Sequence, residues 1–412
     1  MKIVLLSNSD SGGGAYIAAY RLHKALIQYD INSVLFVRNK FTDDSTVITF
    51  ESKLQKIFNL IIPFLDSFLL KFYTKRNKTT FSNSLISSKK IIKKINSLNP
   101  DIVHLHWVNN GMIMIEDLPK INAPIVWTMH DNWLFTGGCH IKWDCNNFKF
   151  HCGNCPVLKS NFKLDLSYFN WSRKKSTFSK LNNLNVVALS RWIETSAQES
   201  SLLRNNNVIN LPNPIDSKKF KHLDKNFCRK VFNLPINKKY LLFGAISPSS
   251  DINKGFIFLY KALELTMIPD LEILIMGSHT PFDKLEFKYK THYLGKFSDE
   301  SSLAIAYNCA DVFVLPSLQE TLSQSLCESL SCGTPAVAFS HSGNLDIIDH
   351  KLNGYLANSE DFIDFYNGIL WVINNLTPDK SDAIRNSLVN KFSIENVIPE
   401  YIKLYNQILF KE

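Results

Sequence analysis

The sequence of 412 residues lacks any long uninterrupted apolar segment. Its longest apolar stretch, residues 54–76, is broken by Asn59, Pro63 and Asp66, which is not the composition of a membrane-spanning helix. The first residues, MKIVLLSNSDSGGG, turn polar after four apolar residues, too few for the core of a secretion signal. We therefore expect a cytoplasmic protein.

A dense basic run is also absent, although basic residues are in excess. Lys and Arg number 46 and Asp and Glu 37, a formal net charge of +9. This excess is dispersed, so we expect no nucleic-acid partner, and it suits an anionic small substrate or an anionic membrane face equally well.

The apolar stretch 54–76 ends on Lys71, Lys75 and Arg76. Its spacing favours a helix pair that packs on the core of the first domain. The alternative is an amphipathic element in peripheral contact with an anionic membrane, at its inner face.

Short apolar segments alternate with longer segments of helical periodicity, which is typical of parallel α/β sheets. The alternation is interrupted at LPNPID (211–216), a predicted hinge, and resumes after it. We predict an α/β protein of two Rossmann-like, doubly wound domains facing a cleft. The predicted strands are 2–7, 32–38, 101–107, 124–130 and 185–190 before the hinge, and 239–247, 271–278, 292–297, 311–317 and 335–340 after it.

In such sheets ligands bind beyond the carboxyl ends of the strands, and two motifs lie there. SNSDSGGGA (7–15) follows the first strand and opens a helix, so it predicts either a phosphate-binding loop or a tight turn without a ligand. In PSLQETLSQSLCESLSCGTPAVAF (316–339), Glu320 and Glu328 lie eight residues apart around a helix start. Eight helical residues span up to ~12 Å, which approaches the hexose-to-ribose distance of a nucleotide sugar.

The stretch from Glu320 to Phe339 resembles the Glu-x7-Glu element of retaining glycosyltransferases of family 4, which have the GT-B fold. Other motifs match in the same order: the Gly-rich loop, TMHD (128–131), LPNPID, Lys254-Gly255, YLGKFSDE and the C-terminal FSIENVIPEYIKLYNQIL (392–409). The resemblance therefore covers nearly the whole chain. It implies metal-independent transfer of a sugar from a UDP- or GDP-sugar to a glycan or lipid-linked acceptor, in polysaccharide biosynthesis.

The resemblance also implies three regions. Residues 1–212 would be the acceptor-side domain, with a cysteine-rich insert at 137–156. Residues 213–391 would be the nucleotide-sugar donor domain, and residues 392–412 a helix that crosses back to the N-terminal domain.

For the donor, the resemblance implies that Glu328 holds the ribose and that Glu320 holds and orients the transferred sugar. Lys254 and the amides of Thr321 and Leu322 would neutralise the diphosphate. The family usually has an arginine shortly before this lysine, and LLFGAISPSSDINKG has none. The charge of the diphosphate would therefore be neutralised more by Lys254, or by an arginine from elsewhere in the chain.

On the first domain, the resemblance implies that His130 touches the transferred sugar near the reacting carbon. Gly13 and Gly14 would let the domain approach the phosphates. Candidates for contact with the acceptor are His104, His106 and Trp107, in VHLHW (103–107). The alternative is that the two histidines lie in the core with their hydrogen bonds satisfied there. The chain contains no Asp-x-Asp pair to hold a catalytic metal ion.

GGCHIKWDCNNFKFHCGNCP (137–156) places Cys139, Cys145, Cys152 and Cys155 within 17 residues. Four soft ligands at this spacing favour a closed, structural zinc site. Buried thiols, or a disulfide pair in an exported protein, are the alternatives.

Rival functions are a GT-B nucleotide-sugar epimerase, a glycogen-type synthase, or a non-catalytic subunit that binds a sugar nucleotide or zinc. An epimerase would convert the donor without any acceptor.

Overall fold

The computed structural model describes residues 1–50, 53–181, 184–244, 251–278 and 286–410. The chain forms two compact units. Unit 1 contains Met1–Pro214 and Val397–Glu412, and unit 2 contains Ile215–Asn396. The prediction that these are acceptor-side and donor domains stays a prediction.

Unit 1 is built on a seven-stranded sheet with the order β3-β2-β1-β4-β5-β6-β7, in which each pairing is parallel. The strands are β1 (Lys2–Ser9), β2 (Asn32–Asn39), β3 (Val47–Ile48), β4 (Ile102–Leu105), β5 (Ile125–Met129), β6 (Leu184–Ala188) and β7 (Asn207–Asn210). The helices are α1 (Gly14–Gln28), α2 (Lys53–Ser67), α3 (Lys89–Ser97), α4 (Leu166–Phe178) and α5 (Arg191–Glu199). The central strands are almost entirely apolar because helices cover both faces of the sheet.

Unit 2 repeats the plan with a six-stranded parallel sheet of order β10-β9-β8-β11-β12-β13. Its strands are β8 (Lys239–Gly244), β9 (Leu271–Met276), β10 (Thr291–Gly295), β11 (Val312–Leu315), β12 (Ala336–Phe339) and β13 (Gly354–Ala357). Its helices are α6 (Lys225–Val231), α7 (Phe256–Leu265), α8 (Glu300–Cys309), α9 (Gln324–Ser331), α10 (Asn344–Ile347), α11 (Phe362–Asn375) and α12 (Ser381–Phe392).

The C-terminal helix α13 (Ile394–Phe410) begins in unit 2 and belongs to unit 1 from Val397 onward. Within unit 1, Tyr401 and Tyr405 are fully buried, and the Tyr405 hydroxyl lies 2.7 Å from Nδ1 of His104 on β4. This confirms the predicted return of the last helix to the N-terminal domain.

All ten predicted strands are present, and both doubly wound sheets are confirmed. The predicted continuation of β8 beyond Gly244 lies outside the described residues. No helix within the described ranges combines the length and the apolar character needed to cross a membrane.

The expectation that residues 54–76 form a helix pair that packs on the core is confirmed only in part, because one face packs on unit 1 and the other faces outward. They form α2 and a 3-10 helix, Phe68–Phe72, whose large apolar side chains are mostly exposed. The face that packs on unit 1 contains Asn59 and Asp66, both buried and hydrogen bonded.

Candidate functional site

In unit 2, the two glutamates lie on the loop after β11 and on the helix α9 that follows it. The helix begins at Gln324, and the Ser323 hydroxyl caps it by accepting a hydrogen bond from the amide of Leu326. Thr321 and Leu322 therefore precede the cap. Glu320 lies in the loop, and Glu328 lies in the second turn of the helix.

The carboxylate of Glu328 is directed into unit 2 and is almost entirely buried. It accepts a hydrogen bond of 2.9 Å from the hydroxyl of Tyr307 on α8. A buried carboxylate is costly unless hydrogen bonds or charges compensate it, so this glutamate occupies a prepared polar position.

Glu320 is ion-paired with Lys254, 2.8 Å away. Both side chains keep some exposure, 18% for Glu320 and 33% for Lys254. The attraction of Glu320 outweighs burial and raises the pKa of Lys254, so the ammonium remains charged. Lys254 and Glu320, which the resemblance assigns to the same nucleotide-sugar donor, are thus adjacent in the structure.

Asn253 holds the Lys254 turn against the Glu320 loop. Its side-chain amide donates to the carbonyl of Gln319 at 2.8 Å and accepts from the Gln319 amide at 3.0 Å. Its own carbonyl accepts from the Leu318 amide at 2.9 Å. These three bonds join the two loops, and sequence reasoning had no signal for them beyond the neighbouring Lys-Gly.

Two glycines permit the close approach of these loops. Gly255 has a left-handed φ of 63°, and a Cβ there would lie 1.9 Å from the carbonyl oxygen of Pro316. At Gly343, a Cβ would lie 2.0 Å from the carbonyl oxygen of Thr321. The Gly343 amide also donates to the Glu320 carbonyl, and the Ser342 hydroxyl accepts from the Glu320 amide. The sequence assigned no role to Ser342 and Gly343, and their position after the strand β12 was the available signal.

In unit 1, the Gly-rich loop joins β1 to α1. Gly12 has a φ of +87°, and open space surrounds the position of its absent Cβ. Gly13 is the N-cap of α1, which begins at Gly14. The predicted approach of Gly13 and Gly14 to phosphates stays a prediction.

His130 follows β5 and belongs to a chain of three histidines. Its Nε2 lies 2.8 Å from Nδ1 of His106, and the rings of His106 and His104 stack with centroids 4.5 Å apart. Burial lowers the pKa of His130 to about 4 and of His104 to about 3, and holds that of His106 well below its usual value. All three rings are therefore neutral at neutral pH.

His104 is fully buried, and both of its nitrogens are hydrogen bonded, to Tyr405 and Thr128. The structure thus places His104 in the core rather than at an acceptor. Of the three acceptor candidates, only Trp107 is partly exposed, since His106 is buried as well. Contact with an acceptor stays a prediction for His106 and Trp107.

Asp131 connects this strand end to the cysteine-rich insert. Its carboxylate accepts hydrogen bonds from Nε1 of Trp107 at 2.9 Å and from the Trp133 amide at 2.8 Å, and lies 2.6 Å from Nδ1 of His140. Burial acts to raise the pKa of Asp131, but His140 and these donors bring it below its ordinary value. The sequence analysis quoted Asp131 without assigning it this role.

The four clustered cysteines are free thiols that line a single small cavity. The Gly137 amide donates to Sγ of Cys152 at 3.1 Å, and the amides of Val157 and Leu158 are directed at the sulfur of Cys155. As the side chains stand, the described residues contain no group of three or more His, Cys, Asp or Glu placed to hold a metal ion.

Comparison with a family model identifies one domain of the chain. The model of the family described as "Glycosyl transferases group 1" matches residues 237–375. Residues 237–375 are a glycosyl transferases group 1 domain. This group 1 domain contains Lys254, Glu320 and Glu328.

Two bacterial relatives are similar to the chain. One is the UDP-Gal:alpha-D-GlcNAc-diphosphoundecaprenol alpha-1,3-galactosyltransferase of Escherichia coli, 27% identical over 47% of this chain and 53% of the relative. The other is the putative colanic acid biosynthesis glycosyl transferase WcaC of Escherichia coli K12, 23% identical over 74% of this chain and 75% of the relative. The chain thus spans about half the length of the former and three quarters of the latter.

The solved structure of Anabaena Alr3699/HepE in complex with UDP-glucose is also similar. It covers 99% of this chain and 100% of that chain, with a TM-score of 0.62 and 14% identity. At this identity the likeness shows the fold alone. The group 1 domain is therefore the second half of a GT-B fold.

Proposed function

We propose that the protein is a retaining glycosyltransferase that moves a sugar from a nucleotide-sugar donor to a glycan or lipid-linked acceptor in polysaccharide biosynthesis. The observation that carries this proposal is the Lys254–Glu320 pair inside a group 1 domain, in which Glu320 lies on a loop that continues into the helix of Glu328. The loop and helix that follow β11 thereby present two carboxylates, and a second loop presents a cation beside the first of them.

In this proposal Glu328 accepts hydrogen bonds from the ribose hydroxyls, and Glu320 from hydroxyls of the transferred sugar. Lys254 balances the charge of Glu320 before the donor binds. When the donor binds, the ammonium of Lys254 and the amides of Thr321 and Leu322 together stabilise the negative charge of the diphosphate. Donors and cations placed where a leaving group gains charge lower the barrier to its departure.

On the unit 1 side, we assign His130 to the transferred sugar. Within the described residues, Nε2 of His106 is buried without a hydrogen-bond partner. A buried N–H without a partner is rarer than a bare acceptor, so the proton of neutral His106 belongs on Nδ1, donating to Nε2 of His130. His130 then carries its proton on Nδ1 and offers that N–H to a sugar oxygen.

We also propose that the reaction proceeds with retention and without a metal ion. The acceptor attacks the face that the diphosphate leaves, and the leaving phosphate takes the acceptor's proton, so no carboxylate nucleophile is required. Lys254 and the loop amides supply the positive charge that a divalent cation supplies in other transferases.

A UDP-sugar and a lipid-diphosphate acceptor are the substrates we propose. The galactosyltransferase relative is named for UDP-Gal and a diphosphoundecaprenol acceptor, and the Anabaena structure holds UDP-glucose. The proposed place of the reaction is the cytoplasmic face of the membrane, where a lipid-linked acceptor is reached.

We propose a structural, non-catalytic zinc ion for Cys139, Cys145, Cys152 and Cys155. Burial raises the pKa of Cys152 to about 12 and that of Cys155 to about 11, so a bound metal ion would be required to hold these sulfurs as thiolates. The Gly137 amide, which donates to Sγ of Cys152, would support the thiolate form. The fully buried Lys174 donates to the carbonyls of Trp133 and Thr136, and burial lowers its pKa well below the ordinary value, while Cys152 and Cys139 act to raise it. A zinc ion with four thiolates would carry a net charge of about −2, and that charge would favour the ammonium form of Lys174.

The zinc proposal is tested by metal content. The purified protein is expected to contain one zinc per chain, and Cys152→Ser with Cys155→Ser to lose it, along with thermal stability. Cys228→Ser, a buried cysteine in unit 2, serves as the control and keeps the metal. Metal-free wild type that is reconstituted with Zn²⁺ and still binds none would contradict the proposal.

The transferase proposal is tested with Glu328→Gln. This substitution keeps the shape of the side chain and removes the charge, and turnover is expected to fall while the circular dichroism spectrum stays unchanged. Tyr307→Phe removes the hydroxyl that contacts Glu328 and is the milder control. Full activity of Glu328→Gln, or conversion of the donor without any acceptor, would contradict the proposal, and the latter would support an epimerase.

A further inference from the structure

Unit 1 has an exposed apolar patch, formed by one face of α2 and the 3-10 helix that follows it. Nine large apolar side chains in this short segment are between 37% and 76% exposed. Singly exposed apolar residues are normal on proteins, but a contiguous group of this size marks an interaction site. The apolar patch consists of Ile57, Phe58, Leu60, Ile61, Phe64, Leu65, Phe68, Leu69 and Phe72.

In the amphipathic helix α2 the usual orientation is reversed: the polar side chains of Asn59 and Asp66 face the protein, and most of the apolar side chains face outward. These two residues, seven apart, share the inward face with Ile62. Asn59 donates to the carbonyl of Arg38 on β2. Exposure of an apolar helix face to water is unfavourable. The outward face of α2 is therefore expected to contact an apolar partner.

Asp66 fixes the orientation of the helix. Its buried carboxylate accepts hydrogen bonds from the amides of Ser84 and Leu85 at 3.1 and 2.6 Å, and its carbonyl accepts from Asn83 at 2.7 Å. Ile62 packs on Gly111, where a Cβ would lie 2.2 Å from the isoleucine side chain. The helix therefore cannot roll its apolar side chains inward without breaking these contacts.

The charges around the apolar patch identify the occupant. Lys71, Lys75 and Lys78 are exposed at its C-terminal end. Residues 57–82 contain one acidic residue, Asp66, and its side chain is buried on the opposite face. An apolar face next to exposed lysines is complementary to the interface of a bilayer with anionic headgroups.

We propose that the apolar patch docks the protein on the surface of an anionic lipid bilayer. The helix lies in the plane of the interface, its phenylalanines enter the acyl region, and Lys71 and Lys75 contact headgroup phosphates. The proposal goes beyond the transferase reaction, since it concerns a surface that contains none of the residues assigned to the donor. Binding to a bilayer can therefore be confirmed or contradicted without any measurement of transferase activity.

Vesicle flotation tests the proposal without any turnover. The wild-type protein is expected to float with vesicles of phosphatidylcholine and phosphatidylglycerol, and less with phosphatidylcholine alone. Phe58→Ser, Phe64→Ser and Phe72→Ser combined are expected to weaken binding at least about ten-fold, since each ring loses its burial in the acyl region. These side chains are 57%, 76% and 73% exposed, so the fold does not depend on them.

A matched control replaces three equally exposed phenylalanines elsewhere. Phe150, Phe162 and Phe410 are 75%, 76% and 71% exposed, and their combined change to serine is expected to leave flotation unchanged. Equal losses in the two triple variants would overturn the proposal, because general surface hydrophobicity would then explain the binding.

The charge contribution is tested separately. Lys71→Glu with Lys75→Glu is expected to reduce binding to the anionic vesicles by at least about five-fold per lysine, and added salt to reduce wild-type binding. Lys221→Glu with Lys230→Glu, two exposed lysines of unit 2, is the control that leaves binding unchanged. Wild type that fails to float with anionic vesicles, or that buries the patch by forming dimers instead, would overturn the proposal.

Discussion

The ammonium of Lys254 lies 2.8 Å from the carboxylate of Glu320, although 66 residues separate the two in the sequence. Asn253 joins their loops through both ends of its side-chain amide. The pair is therefore a property of the folded loops and gives the donor site a cation whose charge is balanced before any ligand arrives.

Lys254→Gln is expected to lower kcat/KM for the donor by roughly 10²–10³-fold, because the diphosphate loses the cation that neutralises its developing charge. Lys219→Gln is the matched control, since Lys219 pairs with Glu300 at 2.6 Å on an exposed surface of the same unit. Steady-state kinetics with varied donor measures both. Equal kinetics for Lys254→Gln and the wild type would remove Lys254 from the site.

Gly343→Ala is expected to impair donor binding and to destabilise unit 2 by about 1–3 kcal/mol, because the new Cβ overlaps the carbonyl of Thr321. The φ of Gly343 is −69°, so the effect is steric and not a consequence of backbone strain. Gly13→Ala, whose Cβ would meet only the ring of Tyr16 at 3.1 Å, is expected to be tolerated by the fold of unit 1. Chemical denaturation and donor titration measure the two variants. A neutral Gly343→Ala would refute the packing of these loops.

Acid is expected to destabilise unit 1 through its buried histidines. Burial lowers the pKa of His23 to about 4 and of His104 to about 3, whereas an unfolded histidine titrates near pH ~6.5. The unfolded chain therefore binds protons first, so the stability is fully present above about pH 6.5 and is lost as pH falls through about 4 and then about 3. Thermal unfolding across this pH range measures the loss.

His23→Gln is the corresponding variant, because glutamine has donor and acceptor atoms for Ser33 and Thr46, which His23 now contacts. It is expected to reduce the acid dependence. His222→Gln, at an exposed position, is the control that leaves it unchanged. An identical pH dependence in His23→Gln and the wild type would contradict the role given to burial.

Nitrogen chemical shifts of the histidines test the proton assignment. His130 is expected to show a protonated Nδ1 in a neutral ring at pH 7, and no titration near its ordinary pKa, because burial lowers that pKa to about 4. His106→Ala removes the neighbour at 2.8 Å and should release this tautomer preference. A wild-type His130 protonated on Nε2 would reverse the proposed direction of the hydrogen bond.

The sequence predicted the sheets well because buried parallel strands are short, almost continuous apolar runs between helices. It missed β3, β7 and β13, which are two to four residues long and lie at sheet edges. β7 reads NVIN, and two apolar residues between asparagines carry no clear strand signal. Strand pairing, not local composition, defines these edge strands.

The site was predicted less completely. The spacing of Glu320 and Glu328 was visible along one segment, but the contact between Lys254 and Glu320 depends on loops from different strands. For α2, composition indicated an amphipathic segment without indicating which face is outward. That direction depends on the amides of residues 84–86, which bind the carboxylate of Asp66 and lie in a later part of the chain than α2.

The most direct test is a structure of the protein with a bound UDP-sugar. We expect the carboxylate of Glu328 to contact the ribose, that of Glu320 to contact the sugar, and the ammonium of Lys254 to contact the diphosphate. A donor bound at another surface, with neither carboxylate in contact with it, would contradict the proposed donor site.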